Sequence, residues 1–179
     1  MNQNLQNKLF AKYPKIFQQK DLSMQETCMC WGITCGDGWY NILDTLCSQI
    51  QHHLEYNLTK EQDLEIINVE AVQVKEKYGG LRFYYNGGDD FIRGLAWMAE
   101  GISGCTCETC GSPGTQNDTG WIHTLCSPCR DNLDEIRKLR WEQGTQGGDH
   151  TLRPIDKAIK GKVSEYEEEI ELYKTYGGD

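Results

Sequence analysis

Two C-x-x-C pairs, separated by fifteen residues, constrain this chain more than any other feature. The first pair is Cys107 and Cys110, and the second is Cys126 and Cys129. Each pair predicts a tight knuckle whose two thiolates point toward one centre, and four thiolates complete the tetrahedral coordination of Zn²⁺. We therefore predict a structural zinc site in a zinc-ribbon-like insert. The alternatives, reduced buried thiols or a dithiol redox pair, do not explain two spaced pairs.

A site closed by four sulfur ligands leaves no open position for water, which argues against catalysis at the zinc. The sequence also contains no P-loop and no dinucleotide-binding fingerprint. The enzyme question therefore stays open, with a non-enzymatic protein favoured.

Nine cysteines occur in all, and five of them lie outside the two pairs. Four form a looser group, Cys28, Cys30, Cys35 and Cys47, whose spacing matches no standard zinc knuckle. We predict that most of them are small buried hydrophobic residues, and a second metal site remains as the alternative. Cys105 lies just outside the first knuckle, where it could substitute as a ligand.

Charge and hydropathy restrict where the protein is expected to be located and which partners it is expected to bind. The 27 acidic and 18 basic residues give a net charge of −9, which argues against a general nucleic-acid binder because such proteins need a basic surface. Residues 1–8 are polar and lack the apolar core of a secretory signal, and no stretch reaches the ~18–20 apolar residues that cross a membrane. We expect a cytoplasmic protein with reduced thiols, in which clustered cysteines bind metal.

Helical periodicity alternates with strand-like periodicity along the chain. Apolar spacing predicts a short helix before Pro14, a helix from Trp39 to Leu54, and a helix over 89–102 capped by Asp89 or Asp90. We expect the third of these helices to bury Phe91, Ile92, Leu95, Met98 and Ile102. A fourth helix, capped by Asp131, runs to about Trp141, and a fifth, over 154–173, carries a narrow apolar stripe through an acidic run.

Gly79-Gly80 between two β-rich runs predicts a hairpin. With these two glycines as the loop, Lys77 pairs with Arg82 and Lys75 pairs with Tyr84. Strand alternation then divides the side chains between a core face and an outer face. The core face carries Val72, Val74, Leu81, Phe83 and Tyr85, and the outer face, which we call the hairpin face, carries Lys75, Lys77, Arg82 and Tyr84.

These elements predict an α+β fold, in which a small antiparallel sheet packs with helices. We divide the chain into an α+β core over 1–104, a zinc-binding knuckle module over 105–130 and a C-terminal helical segment over 131–179.

The hairpin face suggests a ligand site, because Lys77 directly opposite Arg82 costs stability unless an anion compensates. The functional interpretation is a phosphate-bearing ligand, with Tyr84, and also Trp39 or Tyr40, stacking on its base. The alternative is a solvated face that Glu70 or Asp37 neutralises. Asp37 itself lies in Gly36-Asp37-Gly38 before the second helix, where we expect it to act as the cap.

Several motifs together resemble a family of small uncharacterised bacteriophage and prophage proteins. The matching motifs are Trp31-Gly32, the run 36–40, the VKEKYGGLRFY hairpin at 74–84, the run 107–114 and Gly120-Trp121. The resemblance covers roughly 8–130 and implies no activity. By analogy with the type of genome, it implies an accessory protein that acts on host machinery or host defence in the host cytoplasm.

Three functional hypotheses follow. The first is a phage-type, zinc-stabilised binding protein that inhibits a host process such as antiviral defence, by sequestering a nucleotide signal or by binding a host protein. The second is a zinc-ribbon accessory protein associated with nucleic acid. The third is a nucleotide-acting enzyme, for which the sequence shows no catalytic set.

Overall fold

The structure, a computed structural model, describes residues 1–57, 68–118 and 120–142. The predicted helix over 154–173 lies outside the described residues.

The chain divides into two compact units, Met1–Asp131 and Asn132–Asp179. The first unit contains the whole of the cysteine-rich segment 105–130 together with the residues that precede it. The knuckles and the helix–hairpin region therefore belong to the same compact body.

The described residues form helices and two small sheets, which confirms the predicted α+β class. The α-helices are α1 (Gln3–Lys12), α2 (Tyr40–His52), α3 (Asp90–Ser103) and α4 (Ser127–Glu142). The strands are β1 (Ile33–Thr34), β2 (Glu70–Lys77), β3 (Gly80–Asn86), β4 (Thr115–Gln116) and β5 (Thr124–Leu125). Short 3₁₀ helices cover Gln18–Asp21, Cys28–Trp31 and Asp37–Trp39, and a π-helical turn, His53–Asn57, follows α2. Within the described ranges, no helix combines the length and the apolar character that a membrane span requires.

Local capping explains where the helices begin. The side chain of Asn2 accepts a hydrogen bond from the Leu5 N–H at 3.0 Å, and α1 ends before Pro14 as predicted. Asp89 caps α3 by accepting from the Ile92 N–H at 3.0 Å. The predicted cap at Asp131 is wrong, because α4 already begins at Ser127.

The core combines side chains from the helices with the inner face of a three-stranded sheet, ordered β1-β2-β3. Its largest fully buried members include Leu9, Phe17, Trp39, Leu43, Ile50, Val74, Leu81 and Ile92. Burying each such aliphatic or aromatic side chain stabilises the fold by about 1.5–3 kcal/mol. Strand β1, which the sequence did not predict, pairs in parallel with β2, so that Ile33 lies opposite Val74.

Helix α3 covers the free edge of β3 with polar side chains. The Leu81 N–H donates to Ser103 Oγ at 2.8 Å, and the Phe83 N–H donates to Glu100 Oε1 at 3.1 Å. These bonds satisfy backbone groups that an edge strand otherwise leaves open to another chain.

The residues that α3 buries against β3 differ from the predicted ones. Ile92 is fully buried as expected, but the other buried residues are small: Ala96, Ala99 and Ser103. The larger residues Phe91, Met98 and Ile102 are 51%, 56% and 44% exposed. Small residues face inward because Glu100 and Ser103 must lie within hydrogen-bond reach of the β3 backbone.

The hairpin turn differs from the predicted one. Lys77 pairs with Gly80, so the two loop residues are Tyr78 and Gly79, with φ of 54° and 70°. Two positive φ values define a type I′ turn, in which a tyrosine costs about 1–2 kcal/mol relative to residues that tolerate the left-handed region. The turn is supported from within the strand, because Glu76 Oε1 accepts from the Gly79 N–H at 2.6 Å.

The register is therefore displaced by two residues: Lys75, not Lys77, lies opposite Arg82, and Gln73, not Lys75, lies opposite Tyr84. A displacement of two leaves the side chains from Gln73 to Tyr84 on their predicted faces, whereas a displacement of one would have exchanged the faces. Beyond the irregularity at Val72, Ala71 lies opposite Tyr85 and is fully buried in place of the predicted Val72. Val74, Leu81 and Phe83 are buried as the prediction requires. An irregularity between Ala71 and Gln73 interrupts the ladder beside Val72, which is half-buried.

Candidate functional site

The four cysteines of the two C-x-x-C pairs converge on one point. Their Sγ atoms all lie within 4.8 Å of one another, and Cys110 Sγ lies 3.6 Å from Cys126 Sγ. In a tetrahedral site with metal–sulfur bonds of about 2.3 Å, two sulfurs lie roughly 3.8 Å apart. The 3.6 Å separation agrees with that value and is much longer than the ~2.05 Å of a disulfide. The four cysteines are therefore arranged to hold a metal ion.

Ionisation of these thiols is strongly uneven. Partial burial opposes ionisation of Cys110, but hydrogen bonds from Ser112 stabilise its thiolate and lower its pKa to about 7. Burial raises the pKa of Cys126, and burial together with the neighbouring cysteines raises the pKa of Cys129 well above its usual range. Four thiolates therefore require a cation among them, and metal binding releases the remaining protons.

Short-range backbone bonds shape the first knuckle. The Cys107 N–H donates to the Ser112 carbonyl at 2.7 Å, and the Gly111 N–H donates to the Cys107 carbonyl at 2.9 Å. Gly111 has a φ of 80°, which lets the chain reverse after Cys110.

An arginine ties the second knuckle to β4. Nη2 of Arg130 donates to the Thr115 carbonyl at 2.7 Å and to the Leu125 carbonyl at 3.3 Å. Because Arg130 directly follows Cys129, this side chain fixes the second knuckle against the two-stranded sheet.

The first knuckle packs directly on the turn before α2. The Gly38 N–H donates to the Glu108 carbonyl at 2.8 Å, and the Gly36 N–H donates to Glu108 Oε1 at 2.9 Å. A Cβ on Gly38 would lie 2.2 Å from the Cys107 carbonyl oxygen, and one on Gly36 would lie 2.2 Å from the Glu108 carbonyl oxygen. Both glycines are therefore required by the close approach of the knuckle backbone.

The sequence does not predict this contact at Gly36-Asp37-Gly38. Asp37 does not cap α2; its carboxylate instead accepts from the backbone and side-chain N–H groups of Asn2, each at 2.6 Å. Two glycines flanking one residue could have signalled close backbone approach, but only the fold shows what approaches.

The hairpin tip contacts the cysteine-rich segment from a second side. The Thr124 hydroxyl donates to the Gly79 carbonyl, and Gln116 Nε2 donates to the Tyr78 carbonyl at 3.4 Å. A Cβ on Gly79 would lie 2.9 Å from Ile122 Cγ2. The turn before α2 and the hairpin tip therefore both contact the segment that carries the metal ligands.

The remaining cysteines do not form a second cluster within the described residues. Cys35 and Cys47 are buried, and burial raises the pKa of Cys35 to about 12 and also raises the pKa of Cys47. The prediction that most of the four are buried is wrong, because it holds for these two alone. Cys28 is exposed, and Cys30 is half-buried with its thiol donating to the Thr27 carbonyl at 3.2 Å. Cys105 is exposed and donates to the Ile102 carbonyl at 3.2 Å.

Two of the predicted stacking residues do not lie free on the surface. Trp39 is fully buried, and its indole N–H donates to the Thr106 carbonyl at 2.8 Å. The stacking role predicted for Trp39 is therefore corrected, because no face of its ring is open to a ligand. Tyr40 is half-buried against the core.

The hairpin face does bring its predicted members together. Lys75 Nζ lies 5.6 Å from the ring centroid of Tyr84, which is 40% exposed. Arg82, directly opposite Lys75, turns toward the Glu100 carboxylate at 3.6 Å and donates to the Leu81 carbonyl at 2.7 Å. Glu100 thus offsets the repulsion between Arg82 and Lys75, which face each other across the hairpin.

The carboxylates expected to neutralise this face are engaged elsewhere. Glu70 accepts from the side-chain amides of Gln18 and Gln19, and Asp37 accepts from Asn2. Among the described residues, Lys75 and Lys77 form no ion pair. Within residues 1–57, 68–118 and 120–142, the two ammonium groups on this face therefore have no carboxylate partner.

No protein-family model, no curated protein and no solved structure matches this chain. The resemblance to the phage family stays a prediction that the motifs carry. The geometry of the cysteine cluster and of the hairpin face therefore provides the basis for a functional proposal.

Proposed function

We propose that this chain is a non-enzymatic binding protein, stabilised by structural zinc, that takes a phosphate-bearing small molecule on its hairpin face. In the host cytoplasm that the phage-like motifs imply, it would sequester a nucleotide signal and so inhibit a host process such as antiviral defence. The observation that carries the proposal is the pair Lys75 and Lys77, which have no carboxylate partner in the described part of the chain.

Zinc is the metal that the donor set favours. Four thiolates within 4.8 Å of one another suit Zn²⁺, which has no redox chemistry and accepts all-sulfur coordination in structural sites. The site contacts two separate turns through Glu108 and Thr124, so the ion would hold the whole cysteine-rich segment in place.

Electrostatics explains why a small anion fits better than a long polyanion. The chain carries a net charge of −9, which repels nucleic acid at long range, whereas two adjacent ammonium groups attract a compact phosphate locally. Arg82 is already held by Glu100 and adds directional N–H donors beside Lys75.

A thermal-shift and calorimetric titration tests this function. The probes are inorganic phosphate, pyrophosphate and nucleoside mono- and diphosphates at low ionic strength. We expect a phosphate-bearing probe to raise the melting temperature of the parent protein and to lose that effect in Lys75→Ala, Lys77→Ala.

The matched control is Lys8→Ala, Lys15→Ala, which removes the same charge from exposed positions elsewhere. If both double variants lose the ligand-induced rise in melting temperature equally, net charge and not the hairpin face causes it. No binding of any probe to the parent protein would contradict the proposal, and steeply salt-dependent DNA binding would favour the nucleic-acid alternative.

A second candidate function, binding of a host protein, is favoured by a different observation. Helix α3 presents Trp97 and Met98 to solvent at 73% and 56% exposure, and exposed large apolar residues are typical of interaction surfaces. If this surface binds the host protein, the double variant Trp97→Lys, Met98→Lys is expected to lose inhibition of the host process. The double variant Lys75→Ala, Lys77→Ala is then expected to retain it. The opposite result would favour the phosphate-binding function.

A further inference from the structure

The hairpin tip keeps an aromatic residue where the backbone disfavours one. Tyr78 has a φ of 54° and occupies the first loop position of a type I′ turn, for which Asn, Asp or Gly is preferred. Its side chain is 68% exposed. Burial therefore does not compensate the conformational cost of this tyrosine, and backbone strain of this kind concentrates at functional sites.

A lysine accompanies the Tyr78 ring. Lys77 Nζ lies 5.3 Å from its centroid, within the range of a cation–π contact. The same arrangement recurs on the hairpin face, where Lys75 Nζ lies 5.6 Å from the centroid of Tyr84. The hairpin face and the adjoining turn thus carry two lysine–tyrosine pairs, each of which combines a positive charge with a partly exposed aromatic ring.

The two pairs follow one strand. Lys75 and Lys77 are two residues apart in β2 and point to the same side, so their Cα atoms lie about 7 Å apart at ~3.4 Å per residue. This spacing is on the scale of one nucleotide in an extended single strand. A ligand with two phosphates and two bases could therefore use both pairs at once, because aromatic rings stack bases and ammonium groups bind phosphates.

We infer that the hairpin face recognises a nucleotide ligand of at least two units, with one base on Tyr78 and the other on Tyr84. The inference rests on the proposed function, which requires only that phosphate binds. It adds that the bases contribute to affinity and that one mononucleotide fills half of the site.

Three probes with two phosphates each separate these contributions: pyrophosphate, adenosine diphosphate and 5′-phosphorylated diadenylate, which carry no base, one base and two bases. Calorimetric titration of the full chain is expected to give affinities that rise in that order. We expect about tenfold for each base, because stacking contributes ~1–3 kcal/mol per base.

The informative variant is Tyr78→Asn, which removes the ring and places a favoured residue in the turn. We expect it to keep or raise the melting temperature, to weaken diadenylate binding about tenfold and to leave pyrophosphate binding unchanged. Tyr56→Asn, at another exposed tyrosine, serves as the control and is expected to change none of these affinities.

The outcomes separate the two proposals. Equal affinity for all three probes would overturn base recognition while phosphate binding stands. Equal affinity for adenosine diphosphate and diadenylate would overturn the two-unit site. An unchanged affinity in Tyr78→Asn would overturn the role of the tip. Failure of every probe, pyrophosphate included, would overturn the proposed function itself.

Discussion

The two groups of cysteines share a residue type but differ in where their sulfur atoms lie. In the C-x-x-C pairs, all four Sγ atoms come within 4.8 Å of one another. In the group Cys28, Cys30, Cys35 and Cys47, two thiols are buried in the core and the others are exposed or half-buried. The reversal of the chain within each knuckle, and not the number of cysteines, therefore brings thiols together into a metal site.

The segment that carries the C-x-x-C pairs is also held by contacts with other parts of the fold. Gly36 and Gly38 admit the backbone of the first knuckle, and the hairpin tip contacts the segment between the two pairs. The buried members of the second cysteine group behave as small hydrophobic residues.

Loss of one metal ligand is expected to have the largest effect. Cys110→Ser removes an exposed ligand, so its effect on stability comes through the metal and not through packing. We expect loss of bound metal and a large fall in the free energy of unfolding, because a structural site forms only in the folded state and its binding energy stabilises that state. Thermal unfolding with metal analysis measures both. Cys105→Ser, at the exposed cysteine outside the knuckle, is the control, and equal melting temperatures for the two variants would contradict the account.

The second largest effect is expected at Gly38, which lies against the backbone of the first knuckle. In Gly38→Ala the new Cβ would meet the Cys107 carbonyl oxygen at 2.2 Å, so we expect a loss of about 3 kcal/mol in the free energy of unfolding. Gly94→Ala is the control, because nothing lies within 4 Å of its Cβ position in the middle of α3. That variant is expected to gain about 0.5–1 kcal/mol. Denaturant unfolding measures both, and effects of the same sign would disprove the contact.

A smaller effect is expected in the second cysteine group. Cys47→Ser places a hydroxyl in a fully buried site, which costs about 1–3 kcal/mol when no partner is available. The metal content should stay unchanged, in contrast to Cys110→Ser. Loss of metal from Cys47→Ser would show that the two groups are not independent.

The last effect is a pH dependence that is confined to alkaline conditions. Burial raises the pKa of Cys35 to about 12, whereas a thiol in an unfolded chain ionises near 8.5. The neutral buried thiol thus contributes stability that is fully present below pH ~8.5 and is lost as pH rises toward 12. We expect the free energy of unfolding to fall less steeply in that range for Cys35→Ala than for the parent protein. Identical slopes for Cys35→Ala and the parent protein would contradict the assignment.

The cysteine cluster was predictable because its signal is local. Two residues between cysteines fix each knuckle, and the four ligands follow from spacing alone. The faces of the hairpin were predictable for a similar reason, because strand alternation survives a register displacement of two residues.

The remaining features depend on tertiary contacts that no single segment encodes. At the hairpin tip, the loop residues are Tyr78 and Gly79, and Gly79 lies against Ile122, which is distant in sequence. The inner face of α3 is small because Glu100 and Ser103 reach the β3 backbone. Trp39 is fully buried, and its indole N–H donates to Thr106 of the cysteine-rich segment.

The most direct test of the account is X-ray absorption spectroscopy on the purified chain, combined with metal analysis. We expect one zinc per chain, surrounded by four sulfur atoms at about 2.3 Å. A folded protein without bound metal, or a zinc with nitrogen or oxygen ligands in place of any of the four cysteines, would contradict it.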